Sequence, residues 1–134
     1  MLVPRWIETD QVVALNRSIL TGSTERHLLR DRGSLESAVA RPRNFFAYTG
    51  DASVAMLVAE LIYGLGRAHA FEQGNKRTAW AAGRMLAHLN GFVIAVAPDK
   101  SQIVWAMMVE QAITQDPHPG LLAHFIESAL KPFK

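Results

Sequence analysis

Cysteine is absent from the 134 residues, which excludes disulfides and every thiolate metal site. An excess of one charge is also missing. Fourteen Lys and Arg face twelve Asp and Glu, and a formal charge of +2 is too small by itself to argue for direct binding of nucleic acid. The longest apolar stretch, Ala52 to Gly66, is interrupted by Glu60 and is too short to span a bilayer, so no membrane is expected. The opening MLVPRWIETDQ has neither the apolar core nor the small-residue cleavage site of a signal peptide, and a cytoplasmic location is the expectation. Repeats, low-complexity tracts and Pro- or Ser-rich linkers do not occur either. One domain over 1–134 follows, and with 49% hydrophobic residues it can bury a core without staples.

Helical periodicity dominates what is present. Thr9 and Asp10 read as caps before a helix in which Val12, Val13, Leu15, Ile19 and Leu20 recur at helical spacing, with Gly22 marking its end. A second helix is expected over Gly33–Ala40, closed by Pro42. The segment Arg41–Asp51 carries Pro, Asn, Gly and three aromatics, and reads as an ordered loop or short extended flap. Asp51 and Ser53 then cap a long helix whose apolar residues lie nearly all round, the mark of a buried central helix. Another runs from about Asn75 to Asn90 and stops at Gly91. Phe92–Val96 has the β-branched composition of a short strand or extended connection. Pro98 and Asp99 open a further helix, and Pro117 and Pro119 separate it from a last one beginning at Gly120. The expected class is all-α, a compact bundle of five or six helices.

One stretch stands apart: HAFEQGNKRTAW, His69 to Trp80, between the two long helices. Gly74 lets the chain turn and Asn75 can cap the helix that follows. The free N–H groups of a first helical turn carry partial positive charge and attract anions. Lys76 and Arg77 add two full charges at that end, where they oppose the helix dipole. A bound anion would supply the missing negative charge. His69 is placed to act as a base toward a hydroxyl, and Phe71 to tuck inward and hold the loop down. On residue chemistry alone, a capped turn with a solvated basic face accounts for the same residues. His88, His118 and His124 lack metal-site spacing and read as surface residues, and Met85, Met107, Met108 and Trp105 read as core packing.

The pattern H-x-F-x-x-G-N-K-R-T-A resembles the signature of the Fic/Doc superfamily, in its Doc (death-on-curing) branch of toxins from toxin–antitoxin modules. LESAVARPRNFFAY (Leu35–Tyr48) and LAHLNGFVI (Leu86–Ile94) resemble the flanking segments of that branch, so the likeness covers nearly the whole chain in the right order. It implies a Fic-fold bundle of about six helices with a short flap before the central helix. It implies ATP as cofactor and His69 as catalytic base. Gly74, Asn75, Lys76 and Arg77 then bind the nucleotide phosphates. Lys76 stands where the AMP-transferring branch has Gly, and in Doc proteins this goes with transfer of the γ-phosphoryl group to elongation factor Tu, arresting translation. The alternative is ordinary Fic chemistry, transfer of AMP to a protein hydroxyl.

The family's Mg²⁺-binding acid falls at Gln73, with Glu72 one residue earlier. A neutral amide is a poor Mg²⁺ ligand. Three outcomes follow: Glu72 reaches the metal, Gln73 acts through water, or the chain is a catalytically weakened binding protein. Trp80 stands where the longer Fic motif ends in Arg, and Ala81 where Doc proteins often carry Asn. The resemblance also assigns Arg41, Pro42, Arg43, Asn44, Phe45, Phe46, Ala47 and Tyr48 to a flap that aligns the target polypeptide. No [Ser/Thr]-x-x-x-Glu-[Gly/Asn] inhibitory motif is visible, which implies control by a separate Phd-like antitoxin whose flexible segment folds on binding.

Overall fold

The computed structural model describes residues 3–95, 100–115 and 119–133. Six helices and one small sheet make up these residues: α1 Thr9–Leu20, α2 Arg32–Thr49, α3 Val54–Ala68, α4 Asn75–Leu89, β1 Phe92–Ile94, α5 Lys100–Gln115, α6 Gly120–Ala129 and β2 Leu130–Pro132. Pro98, Asp99, Pro117 and His118 lie outside the described residues.

Helix α3 is the centre of the bundle, as its all-round apolar pattern predicts. Eleven of its fifteen residues are buried, and α2, α4, α5 and α6 all pack against it. Ser53 caps it by accepting a hydrogen bond from the Met56 N–H. The strand expected near Phe92 forms and pairs antiparallel with β2, with Val93 opposite Lys131, which ties the end of the chain to the exit of α4. At the other end of the chain, the Arg5 N–H donates to Asn90 Oδ1 (2.8 Å) and Asn90 Nδ2 donates to the Arg5 carbonyl (3.0 Å).

Three local expectations are overturned. The N-cap of α1 is Glu8, which shares a capping box with Gln11, and not Thr9 or Asp10. Met107 is 66% exposed and does not belong to the core, whereas Met85 packs against it.

The third correction is the largest: Arg41–Tyr48 is neither a loop nor an extended flap. It is the second half of α2, which runs through the buried Pro42 and ends at Gly50 in the left-handed region, φ 73°. Proline removes one helical hydrogen bond and disfavours the preceding residue's α conformation. Packing outweighs that penalty here. The Ala38 carbonyl, which Pro42 cannot bond, packs against Gly64 of α3 at ordinary contact distance, 3.5 Å from where a Cβ would stand. The Arg41 stem crosses the same glycine, where an added Cβ would come within 2.6 Å. Phe45 and Phe46 rest against the core, the latter 5.9 Å from the Trp6 ring. The helix therefore has a continuous partner on both sides of the proline.

Candidate active site

The stretch between α3 and α4 is built from two left-handed residues. His69 ends α3 at φ 49°, ψ 43°, and among the described residues it is the one non-glycine with positive φ. Gly74 begins α4 at φ 75°, and as the N-cap it takes the place expected of Asn75. Asn75 is displaced from capping because its amide turns back. Its Oδ1 accepts from the Phe71 N–H (3.0 Å) and its Nδ2 donates to the Phe71 carbonyl (2.8 Å). Both ends of that side chain thus shape the loop. Phe71 is buried, as expected.

The loop is also held from outside. Arg30 and Asp31 N–H groups donate to the Ala70 carbonyl (2.7 and 3.2 Å), and the Glu72 N–H donates to the Leu28 carbonyl (2.9 Å). Asp31 in turn caps α2, accepting from the Ser34 N–H and hydroxyl. Those bonds hold its carboxyl below the ordinary value of 3.8.

Two adjoining depressions, each of about 280 Å³, open on this corner. One is lined by the motif itself, from His69 and Glu72 through Arg77. The other lies toward α5, between Arg67, Ile113 and Thr114, and the two share His69 and Lys76. The imidazole is exposed and among the described residues has no hydrogen-bond partner, so it is available to a ligand. The first helical bond of α4 is Thr78 N–H to the Gly74 carbonyl (2.9 Å). The four N–H groups from Gly74 to Arg77 have no acceptor among the described residues, as a helix start requires.

Each charged side chain of the motif is met by an ion from elsewhere. Lys76 pairs with Glu110 of α5 at 2.8 Å, Arg77 with Glu25 of the loop after α1, and Glu72 with Arg26 at 2.9 Å. The Gln73 side chain is exposed and has no partner among the described residues, while its carbonyl accepts from Asn16 Nδ2 at 2.9 Å. No cluster of three His, Asp or Glu suited to a metal occurs among the described residues.

The residues assigned to a flap do not join this corner directly. Arg41, Asn44, Phe45, Ala47 and Tyr48 line a separate open groove of about 620 Å³ with Glu60. Arg41 forms an ion pair with the largely buried Glu60 (2.9 Å) and stacks over Tyr63 at 5.1 Å. Arg67 stacks on the same ring at 5.0 Å and donates to the Ile113 carbonyl, so one aromatic ring joins the α2 groove to the depression near His69.

Motif spacing did not single out Asn16, Glu25, Arg26, His27, Arg67 or Glu110. For Asn16 a signal existed: with Val12 and Leu20 it occupies an i, i+4, i+8 row, a polar residue in an apolar stripe. The others are brought in by tertiary packing alone.

A model of the Fic/DOC family matches residues 6–87. The Toxin Doc of Mycolicibacterium smegmatis (strain ATCC 700084 / mc(2)155) is 45% identical over 69 residues, 50% of this chain and 52% of that protein. The chain therefore spans about half the length of the curated relative it matches.

Proposed function

The chain belongs to the Fic/DOC family, and from that premise we propose that it is a Doc-like toxin, a phosphotransferase that moves the γ-phosphoryl group of ATP to a hydroxyl of elongation factor Tu. The observation that carries this reading is His69. A left-handed backbone costs a non-glycine residue roughly 1 kcal/mol, and helices ending this way ordinarily use glycine. The strain is kept where an exposed histidine lines one depression with Gly74, Asn75, Lys76 and Arg77 at the start of α4.

In this reaction the acceptor O–H gives its proton to a His69 ring nitrogen as its oxygen bonds to the γ-phosphorus. The bond from that phosphorus to the bridging oxygen breaks, and ADP leaves with the electron pair. Catalysis of such a transfer is mostly positioning and charge neutralisation. Arg77 and the first-turn N–H groups hold the phosphates, with Gly74 allowing close approach. Asn75 acts through the loop, by fixing Phe71. Lys76 projects over both depressions, where a glycine would leave the space open, and that crowding favours phosphoryl over AMP transfer. Glu72 is the carboxylate lining the phosphate depression; released from Arg26, it would hold Mg²⁺ together with substrate phosphates, and the ion would supply further charge neutralisation.

Under this proposal control comes from a Phd-like antitoxin acting in trans, and Arg41–Tyr48 contacts the target as a helical rim rather than as a strand. The test is incubation of purified elongation factor Tu with ATP labelled at the α or the γ position. Label is expected from the γ position only, and is expected to vanish with His69→Ala. Label from the α position alone would establish AMP transfer instead. Growth arrest by His69→Ala equal to that of the wild type would leave a binding protein.

A further inference from the structure

Asn16 lies on α1, far from the motif in sequence, and is 0% exposed. Its Nδ2 donates to the Gln73 carbonyl (2.9 Å) and to Thr78 Oγ1 (3.0 Å), and Thr78 is itself 1% exposed. Its Oδ1 lies 2.6 Å from His27 Nδ1. A carbonyl can only accept, so the amide nitrogen must face Gln73 and the amide oxygen must face His27. That assigns the proton on His27 to Nδ1, and every polar atom of the buried amide is then satisfied.

The bond to Gln73 has a consequence for the peptide that follows. No peptide bond among the described residues is cis, and in a trans peptide the C=O and N–H point in opposite directions. A Gln73 carbonyl tied inward to α1 therefore turns the Gly74 N–H outward, toward the depression lined by Gln73, Gly74 and the two cations. Nothing else among the described residues holds that carbonyl. Gly74 lies close over α1: a Cβ there would stand 3.1 Å from Leu20 Cδ2 and 3.3 Å from Asn16 Nδ2, so a larger residue would press the loop away from the helix. Helix α1 thus serves as a template under the loop.

We propose that Asn16 is a positioning residue: buried on α1 and oriented by His27, it holds the Gln73–Gly74 peptide so that the Gly74 N–H faces the incoming phosphate. This rests on the reading of the loop as a phosphate cradle. Thr78 supplies the control. Thr78→Val removes the buried Asn16–Thr78 bond at nearly constant volume and leaves the Gln73 tether in place. Asn16→Leu removes both.

The experiment measures thermal stability, affinity for inorganic pyrophosphate by calorimetry, and the Gly74 amide resonance for each full-length variant. Both substitutions are expected to lower Tm. Only Asn16→Leu is expected to shift or broaden the Gly74 amide and to weaken pyrophosphate binding, by roughly tenfold or more, as small displacements of a positioned group do. His27→Phe keeps a ring against Phe71 but loses the amide's orienting donor; it is the variant to read if Asn16→Leu does not fold, with the same amide shift at smaller amplitude. Equal loss of affinity in Thr78→Val and Asn16→Leu at matched loss of Tm would overturn the proposal. So would an unmoved Gly74 amide in both Asn16→Leu and His27→Phe. A wild-type protein that binds no pyrophosphate would instead overturn the phosphate reading, and the Gly74 amide would still decide the role of Asn16.

Discussion

Under the proposed function, Lys76 and Arg77 exchange Glu110 and Glu25 for the phosphates of the nucleotide. Both pairs are substantially exposed: the side chains of Lys76 and Glu110 are 43% and 54% accessible, those of Arg77 and Glu25 54% and 41%. Exposed pairs contribute about 0.2–1 kcal/mol each. Replacing one carboxylate with the isosteric amide, Glu110→Gln or Glu25→Gln, removes a competitor of that strength. The expected gain in pyrophosphate affinity is roughly 1.4- to 5-fold for one substitution and about 2- to 30-fold for both. Calorimetric titration without divalent metal measures it directly. Higher salt should shrink the gain, because screening weakens an exposed pair in the wild type too. A double-mutant cycle isolates the cause: in a Lys76→Met background the gain from Glu110→Gln should vanish. If instead affinity falls in both glutamine variants, the carboxylates hold the cations in place for the anion and do not compete with it, and the reasoning fails.

Three further outcomes follow from the same geometry. Replacing His69 with Gly should raise unfolding free energy by up to about 1 kcal/mol in denaturant titration while abolishing transfer, because glycine relieves the left-handed strain; a destabilised variant would remove the strain as evidence of function. Arg41→Met, which strands the largely buried Glu60 carboxylate, should cost about 1–3 kcal/mol, whereas Glu60→Gln, which leaves a half-exposed Arg41, should cost under about 1 kcal/mol; equal losses would refute the asymmetry. The Asp31 carboxyl, lowered by its bonds to Ser34, stabilises the fold above its ordinary value of 3.8 and loses that contribution as pH falls through its lower folded value. Acid unfolding of Asp31→Asn should show correspondingly less pH dependence in that range, and an unchanged acid transition would show the cap to be without effect.

Much of the molecule was legible in the sequence because it depends on local periodicity. The all-round apolar pattern of Ala52–Gly66 identified the central helix, and Gly91 and Gly120 fall where α4 ends and α6 begins. Gly74 beside Lys76 and Arg77 marked a turn with positive charge at a helix start, which is how these residues are arranged. The sequence misled where local preference and packing disagree. Pro42 with three aromatics reads as a break, yet α2 continues because Gly64 of α3 leaves room for the Arg41 stem and the core takes the two phenylalanines. Asn75 reads as a cap, yet two bonds to the Phe71 backbone, four residues earlier, take up its amide.

His69, Gly74, Lys76 and Arg77 could be chosen from sequence alone, since their chemistry and spacing lie within nine residues. What surrounds them could not. Glu110 reaches Lys76 from thirty-four residues away, Glu25 reaches Arg77 from fifty-two, and Asn16 reaches Gln73 from fifty-seven. A hydrogen bond or ion pair depends on separation in space, and separations of that kind exist only after the helices have packed. The sequence determined that a turn carrying a histidine and two cations would form at a helix start. Tertiary structure decided which acids compete for its cations and which buried amide holds its backbone in place.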